Sequence, residues 1–157
     1  MKYLVEPADI RIGGKNDVLI TNNLGSCLGL IAYEPEMKIG GLLRAVLPSS
    51  KINPEKAITN PCMFVDTGVP LLLEKIRNAG NENNSIMVKA VGCSNPLGNS
   101  GIFRIGQKNY AILENLLMEC DIILTSSIIG GTFCKAVQFY ISTGRIVVLE
   151  NGKEREL

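Results

Sequence analysis

The sequence predicts an α+β fold, a sandwich of mostly antiparallel strands with two main helices on the outside. Short β-branched or alternating runs come in pairs joined by tight turns, and only two segments carry apolar residues at helical spacing. These elements do not alternate regularly, as they would in a parallel βαβ fold. Because the chain has 157 residues, 46% of them hydrophobic, we expect one domain spanning residues 1–157.

The first half of the chain predicts three strands, at residues 18–20, 27–33 and 39–47. The turn Glu34-Pro35-Glu36 joins the second and third of these, so we expect a hairpin there. Pro48 should end the third strand, because it has no N–H to donate. Residues 49–59 show prolines, polar side chains and no period, and are predicted to form a loop.

The first helix is predicted to begin at Asn60-Pro61, a capping side chain followed by proline at the first helical position. Apolar residues then recur at helical spacing, at Val65, Val69, Leu72, Leu73 and Ile76. Gly80 is placed to end the helix. Pro70 falls within the pattern and is expected to bend or restart the helix.

The second half of the chain predicts a second helix and a closing hairpin. Tyr110, Leu113, Leu116, Leu117 and Cys120 mark the helix. Strands are predicted at residues 86–91 and 121–125, a glycine-rich loop at 92–101, and a hairpin of 137–141 and 145–149 around a turn at 143–144. The charged residues 153–156 are predicted to be a solvated tail.

Composition argues against several classes of function. The formal net charge is +1 and no basic stripe is evident, so nucleic acid is not an expected partner. Neither a membrane-spanning apolar run nor a signal peptide is evident, and we expect a cytoplasmic protein without membrane insertion. The five cysteines are scattered and lack a Cys-x-x-Cys pair. We therefore expect free thiols, no zinc site and no cofactor.

One turn carries candidate chemistry in a chain that has no histidine. The turn links two predicted strands and reads Asn22-Asn23-Leu24-Gly25-Ser26-Cys27. Cys27 either simply opens a buried strand, as free cysteines often do, or is a nucleophile placed at the turn. In the second case Gly25 would let the backbone approach a substrate, and backbone N–H groups would face a developing oxyanion.

Several segments, in order, resemble the CheD family of chemoreceptor glutamine deamidases. The quoted segments are Thr21 with Leu24-Gly25-Ser26-Cys27, Lys38-Ile39-Gly40-Gly41-Leu42-Leu43-Arg44-Ala45-Val46-Leu47-Pro48, Phe64-Val65-Asp66-Thr67, Ile105-Gly106-Gln107-Lys108-Asn109, Gly130-Gly131, and Phe139 with Thr143-Gly144-Arg145 and Val148. Together they span nearly the whole chain, which is identified on these segments as a single CheD-like domain.

The resemblance implies a three-layer sandwich related to bacterial deamidating toxins. It also implies a Cys-His-Thr site that hydrolyses the side-chain amide of receptor glutamines. On this sequence Cys27 takes the position of the nucleophile, Thr21 that of the third member, and the histidine position falls on Arg44. The partners it implies are chemoreceptor helices and a CheC-type phosphatase.

Arg44 changes the chemistry that this site can perform. Its positive charge can favour a thiolate at Cys27. It cannot take up and return a proton, however, because guanidinium stays charged at physiological pH. Asp66 is a carboxylate that could replace the missing base, although the sequence does not place it near Cys27. Arg44 could equally be an ordinary strand residue with its head group in water.

Three hypotheses for function follow from the sequence. The protein is a diverged glutamine deamidase with impaired or altered activity, or a pseudoenzyme that binds the family's partners, or a thiol redox sensor in which Arg44 makes Cys27 reactive. The missing histidine favours the pseudoenzyme, whereas the presence of Thr21 and Cys27 favours the other two.

Overall fold

The computed structural model describes residues 1–98 and 104–157, which form three layers. The outer sheet has the strand order β1-β3-β8-β9-β10, and the central sheet has the order β2-β5-β4-β6-β7. The outer strands are β1 (Lys2–Leu4), β3 (Val18–Leu24), β8 (Lys135–Tyr140), β9 (Arg145–Glu150) and β10 (Lys153–Glu156). The central strands are β2 (Asp9–Gly13), β4 (Leu28–Glu34), β5 (Ile39–Ala45), β6 (Met87–Gly92) and β7 (Leu124–Ile129).

The central sheet is covered on both faces, which explains the unbroken apolar sequence of β4. Every residue of β4 is buried. Leu28 and Leu30 point to the helices, whereas Ile31 and Tyr33 point to the outer sheet. A strand covered on both faces has no solvated side, so apolar and polar residues do not alternate along it. The predicted hairpin of β4 and β5 is confirmed, with Leu28 opposite Ala45 and Glu34 opposite Ile39.

The third layer is formed by two helices packed on the central sheet, α2 (Val65–Ala79) and α3 (Ile105–Glu119). The short helix α1 (Pro54–Thr59) precedes them and lies against 3₁₀ turns instead of the sheet. Helix α2 buries Val69, Leu72, Leu73 and Ile76, as its spacing predicts. It packs closely because a Cβ on Gly41 of β5 would lie 2.6 Å from Leu72 Cδ1. The predicted α+β class and the three-layer sandwich are thus confirmed.

Two predictions about helices are wrong. Residues 49–59 are not all loop, since they include a 3₁₀ turn (Ser50–Ile52) and the short helix α1. The start signal of α1 is an Asn-Pro pair: Asn53 Oδ1 accepts a hydrogen bond from the Lys56 N–H at 3.1 Å. The helix buries no side chain, so it has no apolar period. The helix predicted to begin at Asn60-Pro61 begins instead at Val65, because Asn60 caps a separate 3₁₀ turn (Pro61–Met63), where its side chain accepts a hydrogen bond from the Cys62 N–H at 3.2 Å. Pro70 lies within α2, which is continuous from Val65 to Ala79.

The strand predictions miss those elements that form through distant pairing. Strand β1 pairs in parallel with β3, and β2 pairs with β5. The predicted solvated tail is the strand β10, which pairs with β9 while its side chains remain exposed. The strand predicted at 121–125 begins only at Leu124, because Asp121 has a left-handed backbone with φ of 58°. Of the predicted loop 92–101, residues 99–101 lie outside the described ranges.

Helix α3 approaches the loop after β6 so closely that only glycine fits at its second residue. A Cβ on Gly106 would lie 2.3 Å from the Ser94 carbonyl oxygen and 2.6 Å from that of Cys93. Both obstacles are backbone atoms, which cannot turn aside as a flexible side chain can. The position of α3 is therefore fixed relative to residues 93 and 94.

We predict that Gly106→Ala lowers the free energy of unfolding by about 1–3 kcal/mol or more, because the added methyl forces α3 away from this loop. The measurement is urea denaturation followed by circular dichroism. Gly14→Ala is the matched control, because a Cβ there meets nothing within 4 Å. Equal effects of the two substitutions would contradict this account of the packing.

Candidate active site

The chain crosses from the outer sheet to the central sheet through residues 25–27, here called the crossing loop. It joins β3 to β4. The carbonyl of Gly25 accepts a hydrogen bond from the Ser94 N–H at 2.8 Å, and that of Cys27 accepts one from the Cys93 N–H at 2.8 Å. The loop after β6 thus fixes both ends of the crossing loop.

Asn109 fixes the middle of the crossing loop from helix α3. This side chain is fully buried. Its Nδ2 donates to the Ser26 carbonyl at 2.9 Å and to the Val46 carbonyl at 3.0 Å. One amide therefore ties the helix layer to the crossing loop and to the chain just after β5.

The bound carbonyls set the direction of two backbone N–H groups. The described residues include no cis peptide bond. In a trans peptide the carbonyl and the following N–H point in opposite directions. Because the carbonyls of Gly25 and Ser26 point to Ser94 and Asn109, the N–H groups of Ser26 and Cys27 point away from these donors. Such preset N–H groups are suited to stabilise an oxyanion.

The Cys27 side chain lies between the two sheets. It is 9% exposed and belongs to the apolar cluster that contains Leu24, Leu42 and Val91. The thiol of Cys93 is electrostatically close to it. Burial, and next the charge that Cys27 would carry as a thiolate, raise the pKa of Cys93 to about 12. Cys93 is therefore a neutral thiol near pH 7, and a reactive thiolate there is not expected.

Gly25 is partly exposed and lies against two exposed residues, Pro96 and Cys134. A Cβ at this position would lie 3.2 Å from Pro96 Cγ and 3.6 Å from Cys134 Sγ. The space that the missing side chain leaves is thus filled by the protein's own side chains.

Thr21 and Arg44 meet across the two sheets. Thr21 lies in β3 and is fully buried, and its hydroxyl donates to the Val5 carbonyl at 2.8 Å. Arg44 lies in β5 and reaches over from the central sheet, so that its Nη1 donates to Thr21 Oγ1 at 3.1 Å. Gly29 lies directly opposite Arg44 on β4, two residues after Cys27. The three predicted site residues thus lie between the sheets, and a hydrogen bond joins Arg44 to Thr21.

Arg44 also binds an irregular part of β3. The register of β3 against β8 shifts between Thr21 and Leu24, and Asn23 has a φ of 55°. Nη1 donates to the Asn22 carbonyl, and Nη2 donates to the Asn23 carbonyl at 3.0 Å. These are carbonyls that the shifted register would otherwise leave without a sheet partner.

Arg44 is not an ordinary strand residue with a solvated head group. The side chain is only 8% exposed, and its guanidinium bonds hold β3 against the central sheet. That alternative from the sequence is wrong, because the nearby bulge supplies carbonyls that replace water as acceptors.

The side chain of Asp66 has a structural role at the start of α2. Its Oδ1 accepts from the Ser50 N–H at 2.9 Å, and its Oδ2 accepts from the Ser50 hydroxyl at 2.8 Å. The carboxylate thus anchors the 3₁₀ turn to the first turn of α2. Both oxygens are occupied there, which argues against Asp66 as the base for Cys27.

Sequence reasoning missed a buried lysine beside the crossing loop. Lys135 is 1% exposed and lies opposite Leu24 in the pairing of β3 with β8. Its Nζ donates to Ser94 Oγ at 2.7 Å and to the Gly130 carbonyl at 2.6 Å, and it lies 3.1 Å from Glu150 Oε2. Through Ser94 this lysine supports the segment that fixes Gly25.

A sequence signal for Lys135 did exist. The strand predicted from Val137, Phe139 and Ile141 has a period of two, and residue 135 continues the inward-facing phase. A lysine at an inward position needs a buried anionic partner. The pattern identified the strand, but its first two residues were left out.

Comparison with known proteins defines the family. The family model described as CheD chemotactic sensory transduction matches residues 46–150, which is more than half of the chain. A probable chemoreceptor glutamine deamidase CheD of Solibacter usitatus is 39% identical over 157 residues, covering 99% of this chain and 93% of the relative. The chain belongs to the CheD family. A probable chemoreceptor glutamine deamidase of Syntrophus aciditrophicus is 35% identical, covering 95% of this chain and 94% of the relative. One of Anaeromyxobacter dehalogenans is 33% identical, covering 87% of this chain and 86% of the relative.

Membership of the CheD family confirms the resemblance drawn from the sequence. Thr21, Cys27 and Arg44 precede the matched range 46–150. They lie within the stretch similar to the Solibacter relative, since that similarity covers 99% of the chain.

Two further findings apply to the described part of this CheD protein. No helix within it is long and apolar enough to cross a membrane. No group of three or more histidine, cysteine, aspartate or glutamate side chains within it is arranged to hold a metal ion.

We predict that Lys135→Met lowers the free energy of unfolding by about 1–3 kcal/mol, because it leaves the Ser94 hydroxyl and the Gly130 carbonyl without their buried donor, while Glu150 keeps its pair with Arg155. The measurement is chemical denaturation. Arg145→Met is the matched control: it removes a pair with Glu156 that is exposed on both sides, 49% and 62%. The control should leave the denaturation midpoint nearly unchanged. If the two variants shifted the midpoint equally, Lys135 would not support the crossing loop as described.

Proposed function

We propose that this protein acts on chemoreceptors in the cytoplasm as a weakened glutamine deamidase, with Cys27 as nucleophile and Arg44 in place of the general base. One observation carries the proposal. The guanidinium of Arg44 lies between the sheets beside Thr21 and donates only to neutral oxygens. The family resemblance gives this position to histidine, and Arg44 supplies there a group that holds charge and moves no proton.

The reaction would proceed in two steps. The Cys27 sulfur attacks the amide carbon of a glutamine side chain, and the carbonyl oxygen becomes an oxyanion. The C–N bond then breaks, and nitrogen leaves as ammonia with a proton that originates from the thiol. Water attacks the resulting thioester, which gives glutamate and restores the thiol. The N–H groups of Ser26 and Cys27 are suited to bind the oxyanion, because the crossing loop holds their direction.

The weak point of this sequence is proton transfer. An imidazole would accept the thiol proton and return it to the leaving nitrogen, but a guanidinium does neither. Loss of a general base typically lowers the rate about 10²–10⁴-fold. The same observation favours a second candidate, a non-catalytic protein that binds the receptor helices or a CheC-type phosphatase. The two candidates differ in whether any turnover depends on Cys27.

We predict that Arg44→His raises the rate of glutamine deamidation by about 100-fold or more, because imidazole restores proton transfer beside Cys27. The assay is the one-unit mass increase of glutamine-rich chemoreceptor fragments, together with ammonia release. Cys27→Ala in the Arg44→His background should abolish the activity.

Arg11→His is the matched control, because it also adds a histidine, but at the exposed position of strand β2 where Arg11 stacks over Tyr3. It should not raise the rate. A wild-type rate equal to that of Arg44→His would mean that another base is at work. Complete inactivity of both proteins would favour the binding function.

A further inference from the structure

The two deeply buried cations of the described residues differ in how their charge is compensated. Lys135 has the Glu150 carboxylate at 3.1 Å. Arg44 is 8% exposed, yet none of the ion pairs found in the described ranges includes it. Its acceptors are one hydroxyl and two peptide carbonyls, which satisfy N–H groups but carry no negative charge. A buried charge of this kind is normally paired.

Arg44 has N–H groups that its three hydrogen bonds leave unused. Nη1 donates two hydrogen bonds and Nη2 donates one, to the Asn23 carbonyl. Nε has no partner among the described residues and is buried. In a guanidinium the Nε–H lies along the same edge as one of the two Nη2–H groups, and the single Nη2 bond leaves one Nη2–H unused. This edge matches the two oxygens of a carboxylate side-on.

Arg44 also lines a cavity of about 340 Å³ at the end of β3. The other lining residues are Leu4, Val5, Glu6, Pro7, Asn22 and Asn23. This volume is near the lower end of the roughly 300–1,000 Å³ of ligand sites, and it suits one side chain better than a large ligand. Leu4 and Pro7 offer apolar contact to methylene groups, while Arg44 offers the cationic end.

We propose that this cavity binds the carboxylate of a glutamate side chain presented by another polypeptide, with Arg44 as its ionic partner. This inference deepens the proposed function, since glutamate is the product of glutamine deamidation. Only the identity of that polypeptide, a chemoreceptor segment, rests on the proposed function. Because Nε is covered in the free protein, binding requires a small shift of the cavity wall, and the Nε–H group should report it.

The test is an NMR titration of the full-length ¹⁵N-labelled protein, observing the Arg44 Nε–H resonance, which is assigned by its loss in Arg44→Lys. The probes are N-acetyl-glutamate N-methylamide and the isosteric glutamine compound, which differ only in carboxylate against carboxamide. We expect a saturable shift with the glutamate compound and at least about tenfold weaker binding of the glutamine compound. Acetate is the third probe and should bind more weakly than the glutamate compound, because it lacks the methylene groups.

Glu6 provides a matched pair of variants. Glu6→Gln should tighten binding of the glutamate compound several-fold, since it removes a negative charge from the cavity lining. Glu36→Gln removes an exposed charge in the turn between β4 and β5, at the opposite end of the hairpin from Arg44, and should leave binding unchanged.

Three results would overturn the proposal: equal binding of both compounds, no saturable shift up to about 50 mM, or acetate binding as tightly as the glutamate compound. The titration needs no turnover. If the protein is inactive but shows the shift, the result supports this inference and rejects deamidation. If the enzyme is active but shows no shift, the result supports deamidation and rejects this inference.

Discussion

The crossing between the two sheets is the constraint on which the candidate site depends. Between β3 and β4 the chain leaves one sheet for the other, so its peptide groups lose their ladder partners and must find others. Cys93, Ser94 and Asn109 supply donors to all three carbonyls of the crossing loop. The direction of its N–H groups and the position of Cys27 are consequences of that arrangement.

Arg44 serves the same region from the opposite side, because it binds the carbonyls of the bulge in β3 and the hydroxyl of Thr21. Through these bonds Arg44 holds the layers together, and it brings a positive charge between them. A histidine has fewer donors and could not bind all three acceptors at once.

The sequence predicted those elements whose signals are local. The hairpin of β4 and β5 and the apolar face of α2 follow from short-range periodicity. Strands β1, β2 and β10 were missed because they exist through pairing with distant segments. The motif identified Thr21, Cys27 and Arg44, but the partners of Arg44 depend on a register shift that no local pattern reveals. The burial of Lys135 could have been predicted, because residue 135 continues the inward-facing alternation of its own strand.

The most direct measurement of this account is the coupling free energy between Arg44 and Thr21, from a double-mutant cycle of Arg44→Met and Thr21→Val followed by denaturant unfolding. Hydrogen bonds of charged groups contribute about 1.5–3 kcal/mol, and we expect a coupling in that range because the bond joins two buried side chains across the sheets. A coupling below about 0.5 kcal/mol would mean that the two side chains act independently. In that case Arg44 would not be the tie between the sheets.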